Sequence, residues 1–269
     1  MTENEFLQEY DISQFDRPSV AADIVVLAIR NELTDNYRRE ANKKLSVLLV
    51  KRSDYPFKDQ WSLPGGFLLQ NETLEECAIR KTFEKTGVHP VSVMPTGVFS
   101  ELDRDPRTRV ISNAFVSVLT EDVDIPYSTG MGETKWFDVE FTKENDTFTL
   151  MLRSNDITIK TVMSESSHKF GEYRYKYISG DKLAFDHSLI LFSSLSTLRK
   201  NADNYYITLD FLPEKFTLTQ FQSVQEAIQN KPQITANFRR KTESYVTPTD
   251  EYITGAGHRP AKLYTRKEK

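Results

Sequence analysis

Two runs of apolar, mostly β-branched residues lie near the start of the chain. Residues 20–29 read VAADIVVLAI, and residues 45–51 read LSVLLVK. Short apolar runs between polar segments are typical of strands that are buried on both faces. Further strand patterns lie at 91–99, 109–119 and 135–139. One helical pattern, from Leu74 to Lys85, interrupts the strands, and this arrangement predicts an α+β fold with a mixed sheet.

The pattern changes character in the second half of the chain. In residues 146–179, short pieces alternate between apolar and polar residues, which predicts a meander of exposed strands at the end of the first domain. From Phe185 onwards the apolar residues have helical spacing. We therefore predict a first domain over residues 1–182 and a second domain over residues 183–269.

Composition narrows the class of protein. A chain of 269 residues is long enough for two domains. Its single cysteine, Cys77, excludes an intrachain disulfide and is expected to be a small core residue. No apolar run approaches the roughly 20 residues that a membrane span needs, and the first residues lack the apolar core of a signal peptide. We expect a cytoplasmic protein without membrane contact.

Charge is distributed unevenly along the chain. The stretch from Lys231 to Lys269 holds nine Lys and Arg against four Asp and Glu, a net charge of +5. The chain as a whole carries −4, so the remainder carries −9. A basic end on an acidic body is typical of proteins that bind a polyanion, although a solvated basic tail has the same composition.

A distinctive spacing of residues surrounds the predicted helix. Gly66 is followed after five residues by Glu72 and after seven more by Arg80. This spacing resembles the Nudix box, and the strings LLVKR at 48–52 and WSLPGG at 61–66 resemble the segments that precede the box in that family. The chain is identified as a member of the Nudix superfamily on these motifs.

The resemblance covers residues 18–140 and implies a Nudix α/β/α sandwich with a mixed sheet. In the family, three glutamates at positions i, i+3 and i+4 of the helix bind Mg²⁺, but here those positions hold Lys81, Glu84 and Lys85. One carboxylate between two ammonium groups is a poor magnesium site. Any metal would have to use Glu72 and Glu84. We expect no required cofactor, and Mg²⁺ only for a residual hydrolase.

The same change in charge suggests a binding function. Lys81 and Lys85 can neutralise a diphosphate without a metal, although they can equally be solvated lysines. The string SELDRDPRTRVIS at 100–112 and the string RPSV from Arg17 resemble ADP-ribose pyrophosphatases and their regulator relatives. This resemblance implies an ADP-ribose-like ligand. The expected ligand-binding residues are Arg17, Lys81, Glu84, Lys85, Arg104 and Arg107. Phe99 or Trp136 can stack on a base or fill the core.

The end of the chain has the order of a winged helix-turn-helix. A helix is predicted from Phe216 to Gln229, with a capping box from Thr217 to Gln220. A turn follows, and then a short, Thr-capped, basic helix over 235–245 and a predicted hairpin. Such a domain places its second helix in the major groove of DNA. The predicted DNA-binding residues are Thr235, Asn237, Arg239, Arg240, Lys241, Arg259 and Lys262. A winged helix that binds protein instead is the alternative.

Three further strings, spread over both predicted domains, resemble one group of proteins. LAFDH at 183–187, NFRRK at 237–241 and GHRPAKLY at 257–264 resemble the Nudix-related transcriptional regulators of NAD metabolism. The resemblance implies a homodimer that binds operator DNA and senses ADP-ribose with a degenerate Nudix domain. His187 is expected at a helix terminus or an interface.

Two other functions remain open. The first is an active, Mg²⁺-dependent ADP-ribose pyrophosphatase with an appended winged helix, in which Glu101, Asp103 or Glu133 rebuild the metal site. The second is a nucleotide-binding adaptor whose tail binds protein.

Overall fold

The fold was analysed in a computed structural model, which describes residues 1–31, 43–90, 92–120, 132–155, 157–167, 173–253 and 260–268. The helices are α1 (Glu3–Glu9), α2 (Leu74–Thr86), α3 (His187–Lys200), α4 (Tyr205–Leu209), α5 (Leu218–Gln229) and α6 (Thr235–Thr242). Short 3-10 helices span Ile12–Gln14 and Glu243–Tyr245. The strands of the first half are β1 (Ser19–Asn31), β2 (Lys43–Lys51), β3 (Trp61–Ser62), β4 (Gly65–Phe67), β5 (Met94–Phe99), β6 (Val110–Leu119) and β7 (Thr134–Glu144). They are followed by β8 (Thr147–Ser154), β9 (Ile157–Ser167), β10 (Tyr173–Gly180), β11 (Lys215–Thr217), β12 (Val246–Ile253) and β13 (Ala261–Arg266).

The main sheet is mixed, as the sequence predicts. Its strand order is β10-β9-β8-β7-β2-β1-β6-β5, with β3 added beside β2 and β4 added beside β1. Strands β1 and β6 pair in parallel, and the other pairings among the described strands are antiparallel. The central part of β1 is buried on both faces, which explains its nearly continuous apolar run.

Helices cover both faces of this sheet. On one face, Ile24 and Val26 pack with α2 in one apolar cluster. On the other face, Val25 and Leu27 join a larger cluster that also includes α3 and the C-terminal helices. The α/β/α sandwich implied by the Nudix resemblance is therefore present. Cys77 is fully buried in the α2 cluster, which confirms its interpretation as a core residue.

The prediction that residues 146–179 form exposed strands is partly wrong. The meander is present as β8, β9 and β10, but alternate side chains of β8 are buried. Phe148 lies 5.3 Å from Phe192 of α3, measured between ring centroids, and Tyr175 lies 4.8 Å from the same ring. The meander therefore contributes one face to the core beneath α3.

Helix α3 lies between the two halves of the molecule. It contacts β5, β6 and β10 of the main sheet and also α5. The sequence-based division places α3 in the second domain, but most of its packing is against the sheet. The exact boundary between the domains therefore remains a prediction.

The C-terminal part consists of α4, α5, α6 and a small antiparallel sheet of order β11-β13-β12. Thr217 and Gln220 form the predicted capping box at the start of α5. The predicted threonine cap of the next helix is wrong, because the N-cap residue of α6 is Ile234 and no side chain caps it. None of the helices in the described ranges combines the length and apolar character that crossing a bilayer requires.

Candidate functional site

A charged cleft opens at the edge of the main sheet beside α2. Its volume is about 550 Å³, within the range of small-molecule binding sites. The cationic residues that line it are Lys51, Arg52, Lys81, Lys85, Arg104 and Arg107. The acidic residues that line it are Asp23, Asp54, Glu84 and Asp105. Six cations against four carboxylates leave the cleft with an excess of positive charge, which suits an anionic ligand.

The surviving carboxylates of the Nudix box are bound to Arg80. Its Nε donates to Glu72 Oε2 at 2.8 Å, and its Nη1 donates to Glu84 Oε1 at 2.9 Å. The hydrogen bonding of Glu72 to Arg80 lowers the pKa of Glu72 to about 2. Hydrogen bonding to Lys81 lowers the pKa of Glu84 as well. Both carboxylates are thus neutralised by protein cations.

This donor set does not fit the magnesium site of the family. Among the described residues, no group of three or more His, Cys, Asp or Glu side chains is placed to hold a metal ion. Glu133, one of the carboxylates considered as a replacement, pairs with Lys51 at 3.2 Å and with Lys135 at 2.8 Å. Glu101 and Asp103 are exposed.

Lys81 and Lys85 both line the cleft, where they stand at two of the family's glutamate positions. The Nζ of Lys81 lies 2.7 Å from Glu84 Oε2. Gly66 makes room for this side chain, because a Cβ at Gly66 would lie 2.8 Å from Cδ of Lys81. Burial lowers the pKa of Lys85, partly offset by the negative charge of Asp23. Neither lysine is a freely solvated surface group.

Arg104 is the most buried cation of the predicted ligand set. Its Nε and Nη2 donate to Asp186 at 2.9 and 2.7 Å, and Nη2 also lies 3.5 Å from Asp23. Asp23 in turn accepts a 2.6 Å hydrogen bond from Ser112. Asp186, which lies 82 positions from Arg104 in the chain, was not predicted from the sequence.

Arg107 is more accessible than Arg104, with 45% of its side chain exposed. It pairs with Asp105 at 2.7 Å, and its guanidinium carbon lies 5.1 Å from the ring centroid of Phe67. Arg52 lies 4.8 Å above the ring of Phe185. The sequence interpretation did not include Arg52, although it ends the string LLVKR that drew attention to this segment.

The remaining predicted ligand residues are placed less favourably. Arg17 is exposed and does not line the cleft. Trp136 is buried in the α2 cluster, which favours the core interpretation, and Phe99 is half-buried against the larger cluster. Their contribution to ligand binding remains untested.

His187 is the first residue of α3, so its prediction as a helix-terminus residue is confirmed. Its Nδ1 accepts a 3.0 Å hydrogen bond from the backbone N–H of Leu63. Its Nε2 lies 3.6 Å from Asp23 Oδ1. Burial lowers the pKa of His187, which favours a neutral ring with its proton on Nε2.

The candidate nucleic-acid interface is the outer face of α6. Phe238 is buried against Phe221 of α5 at 5.0 Å between ring centroids, and this contact fixes which face of α6 points outwards. The predicted DNA-binding residues of α6 are all exposed, namely Thr235, Asn237, Arg239, Arg240 and Lys241. Lys262 on β13 is half-buried beside Tyr252. Arg259 lies outside the described residues.

Two known families match separate stretches of the chain. The NUDIX domain family matches residues 35–149. The NrtR DNA-binding winged helix domain family matches residues 208–265. Helix α3 lies between the two matched stretches.

Three relatives resemble the chain over nearly its full length. The ADPR responsive transcriptional repressor NtrR of Acinetobacter baylyi is 26% identical, over 98% of this chain and 88% of its own. A MutT/nudix family protein from Enterococcus faecalis superposes with a TM-score of 0.74 at 28% identity, over 100% of this chain and 94% of its own. Shewanella oneidensis NrtR superposes with a TM-score of 0.61 at 25% identity, over 92% and 94% respectively. The chain therefore consists of a NUDIX domain followed by an NrtR winged helix domain.

Proposed function

We propose that this protein is an ADP-ribose-responsive transcriptional repressor. The winged helix binds operator DNA, and the cationic cleft of the NUDIX domain binds ADP-ribose, which changes the affinity for DNA. The observation that carries the proposal is the cleft itself, in which lysines stand at two of the three box positions and Arg80 binds both surviving carboxylates. Such a cleft can bind a diphosphate through protein cations instead of through Mg²⁺.

The DNA-binding half of the proposal is supported by the exposed cations of α6. Within the described residues, no ion pair engages Arg239, Arg240 or Lys241. Unpaired guanidinium and ammonium groups on the second helix of a winged helix are suited to phosphate and base-edge contacts in the major groove. The relative from Acinetobacter baylyi, described as an ADPR responsive repressor, supports both the ligand and the direction of regulation.

We further propose that the regulator acts in the cytoplasm as a homodimer. Helix-turn-helix proteins commonly dimerise so that two recognition helices enter successive major grooves of a pseudo-palindromic site. Light scattering of the purified protein tests the dimer independently of any ligand.

Gel-shift measurements on duplex DNA from the region upstream of the protein's own coding sequence test the proposal. We expect a shifted complex that ADP-ribose dissolves and that AMP at the same concentration leaves in place. Arg107→Ala should weaken the response to ADP-ribose because it removes a cleft cation. Arg109→Ala is the matched control, since Arg109 donates to the Glu101 carbonyl and does not line the cleft. Absence of DNA binding, or a complex indifferent to ADP-ribose, would contradict the proposal.

A further inference from the structure

Each residue of the segment that leads into α3 contacts the first half of the chain, and three of the four contact residues that line the cleft. We call residues 184–187 the entry segment. The N–H of Ala184 donates to the carbonyl of Trp61 at 2.8 Å. The ring centroid of Phe185 lies 4.8 Å from the guanidinium carbon of Arg52 and 5.6 Å from that of Arg107.

The other two residues of the entry segment form hydrogen bonds with residues that line the cleft. Asp186 receives two hydrogen bonds from Arg104. His187 accepts the N–H of Leu63. Phe185 also has a φ of 56°, which non-glycine residues rarely adopt. The contacts on both sides of Phe185 therefore have to sustain this conformation.

The three arginines that bind the entry segment are also the arginines of the ligand cleft. Arg52, Arg104 and Arg107 all line it. A guanidinium has a fixed set of donors, so a diphosphate that takes both Nε and Nη2 of Arg104 must displace the carboxylate of Asp186. Asp186, Arg104 and Phe185 also line a second cavity of about 480 Å³, which gives the displaced segment room to move.

The far end of α3 is attached to the winged helix. Arg199, in the last turn of α3, donates to the carbonyl of Ile228 in α5 at 2.9 Å and to the carbonyl of Phe141 in β7 at 2.6 Å. A helix of 14 residues spans about 21 Å at 1.5 Å per residue. Helix α3 thus has one end in the cleft and the other end on the first helix of the helix-turn-helix.

We infer that the ion pair between Asp186 and Arg104 is the ligand-sensitive contact that links the cleft to DNA binding through α3. This inference rests on the proposed function and specifies its regulation. Without ligand, the pair holds the entry segment and the DNA-binding arrangement. The phosphates of ADP-ribose bind Arg104 and release Asp186. Helix α3 then transmits the movement to α5 through Arg199.

The substitution Asp186→Asn in the full-length protein tests the inference. Asp186 is the N-cap residue of α3, but its side chain makes no capping hydrogen bond. Asn is equally favoured at this position, so the start of α3 is preserved, while the charged partner of Arg104 is lost. We expect ADP-ribose, measured by calorimetry, to bind about tenfold tighter and DNA, measured by fluorescence anisotropy without ligand, to bind weaker by a similar factor. General structural damage would instead weaken both affinities.

The matched control is Asp146→Asn, which removes the same charge at an exposed position that lines neither cavity. It should behave as wild type. Arg199→Met should keep the affinity for ADP-ribose and lose the effect of ADP-ribose on DNA binding, because the cleft is intact and the connection to α5 is cut. Amide hydrogen exchange of the peptides covering 183–190 should rise in the wild type when ADP-ribose is added.

The outcomes separate the two proposals. If wild type responds to ADP-ribose but Asp186→Asn has wild-type affinities for both partners, the inference is overturned and the proposed function stands. If wild type itself shows no response of DNA binding to ADP-ribose, both are overturned. Unchanged exchange at 183–190 on ligand addition would also contradict the inference.

Discussion

Arg80 binds Glu72 with two hydrogen bonds, from Nε at 2.8 Å and from Nη2 at 2.5 Å, and its remaining Nη1 binds Glu84. One arginine thus forms hydrogen bonds with both carboxylates that the degenerate box retains. Lys81 is paired to Glu84, and both Lys81 and Lys85 line the cleft, so the helix presents cations to it. A helix face that holds a metal in the family has become a cationic face here.

Restoring carboxylates to this face should create affinity for Mg²⁺. In the double variant Lys81→Glu, Lys85→Glu, the box positions again carry three glutamates and the repulsion by two ammonium groups disappears. We expect calorimetry to show Mg²⁺ binding that wild type lacks. The control is the double variant Lys160→Glu, Lys176→Glu, in which two exposed lysines of the meander are replaced. It changes the net charge by the same amount and should not bind Mg²⁺. Equal binding by both variants would show that net charge, and not the helix face, is responsible.

Hydrolysis of ADP-ribose by the wild-type protein should be negligible. Its box lacks two of the three glutamates with which the family positions Mg²⁺, and the metal supplies both charge neutralisation and an activated water. Release of AMP from ADP-ribose, followed with and without Mg²⁺ beside an active ADP-ribose pyrophosphatase, measures this directly. Turnover in the usual enzyme range of about 1–10³ s⁻¹ would contradict the regulator interpretation and favour the hydrolase.

The sequence predicted those features that local interactions determine. The capping boxes at Thr73 and Thr217 are satisfied within three residues of the chain, so each can be recognised without knowledge of the fold. The charge reversal at Lys81 and Lys85 was equally visible. Helix α4 was missed, since a helix of five residues is too short to be stable alone and depends on tertiary contacts. Helix α1 was missed although Thr2 and Glu5 form a capping box at its start, and none of its seven residues is buried.

The parts of the site that escaped prediction depend on distant partners. The sequence drew attention to Arg104 as a ligand residue, but nothing near it indicates that Asp186 binds it from 82 positions away. The contacts of Phe185 with two arginines likewise require the entry segment to fold back to the cleft. Whether the predicted ligand residues bind ADP-ribose stays a prediction.

Stability should fall on mild acidification because of His187. Burial holds its pKa below the ordinary value of 6.5, so the unfolded chain binds more protons than the folded chain between the two pKa values. The contribution of this residue is fully present above the unfolded value and is lost as the pH falls from there towards the folded value. One such group adds at most about 1.4 kcal/mol of unfolding free energy per pH unit.

Urea denaturation of wild type and His187→Gln at pH 7.5, 6.5 and 5.5 measures this slope. The variant should depend less steeply on pH over this range, whatever its stability at pH 7.5. His89→Gln, at an exposed histidine, should keep the wild-type slope. Equal slopes for wild type and His187→Gln would show that His187 is not the responsible group.

The last prediction concerns the exposed cations of α6. Arg239, Arg240 and Lys241 lie in its last turn, within a stretch of net charge +5. Replacing a phosphate-contacting residue with Ala should flatten the plot of log affinity against log salt concentration by roughly 1 unit. Loss of a base contact should instead cost about 1–3 kcal/mol and relax the preference at one position of the operator.

Operator binding by the three single Ala variants is therefore measured across a salt series, with thermal melting to confirm that each variant is folded. Lys160→Ala serves as the control, because Lys160 is an exposed lysine of β9 in the main sheet and lies outside the winged helix. If all three α6 variants match wild type at every salt concentration, α6 is not the recognition helix. A winged helix that binds a protein partner would then account better for these cations, because a DNA interface cannot lose its positive charges without changing its dependence on salt.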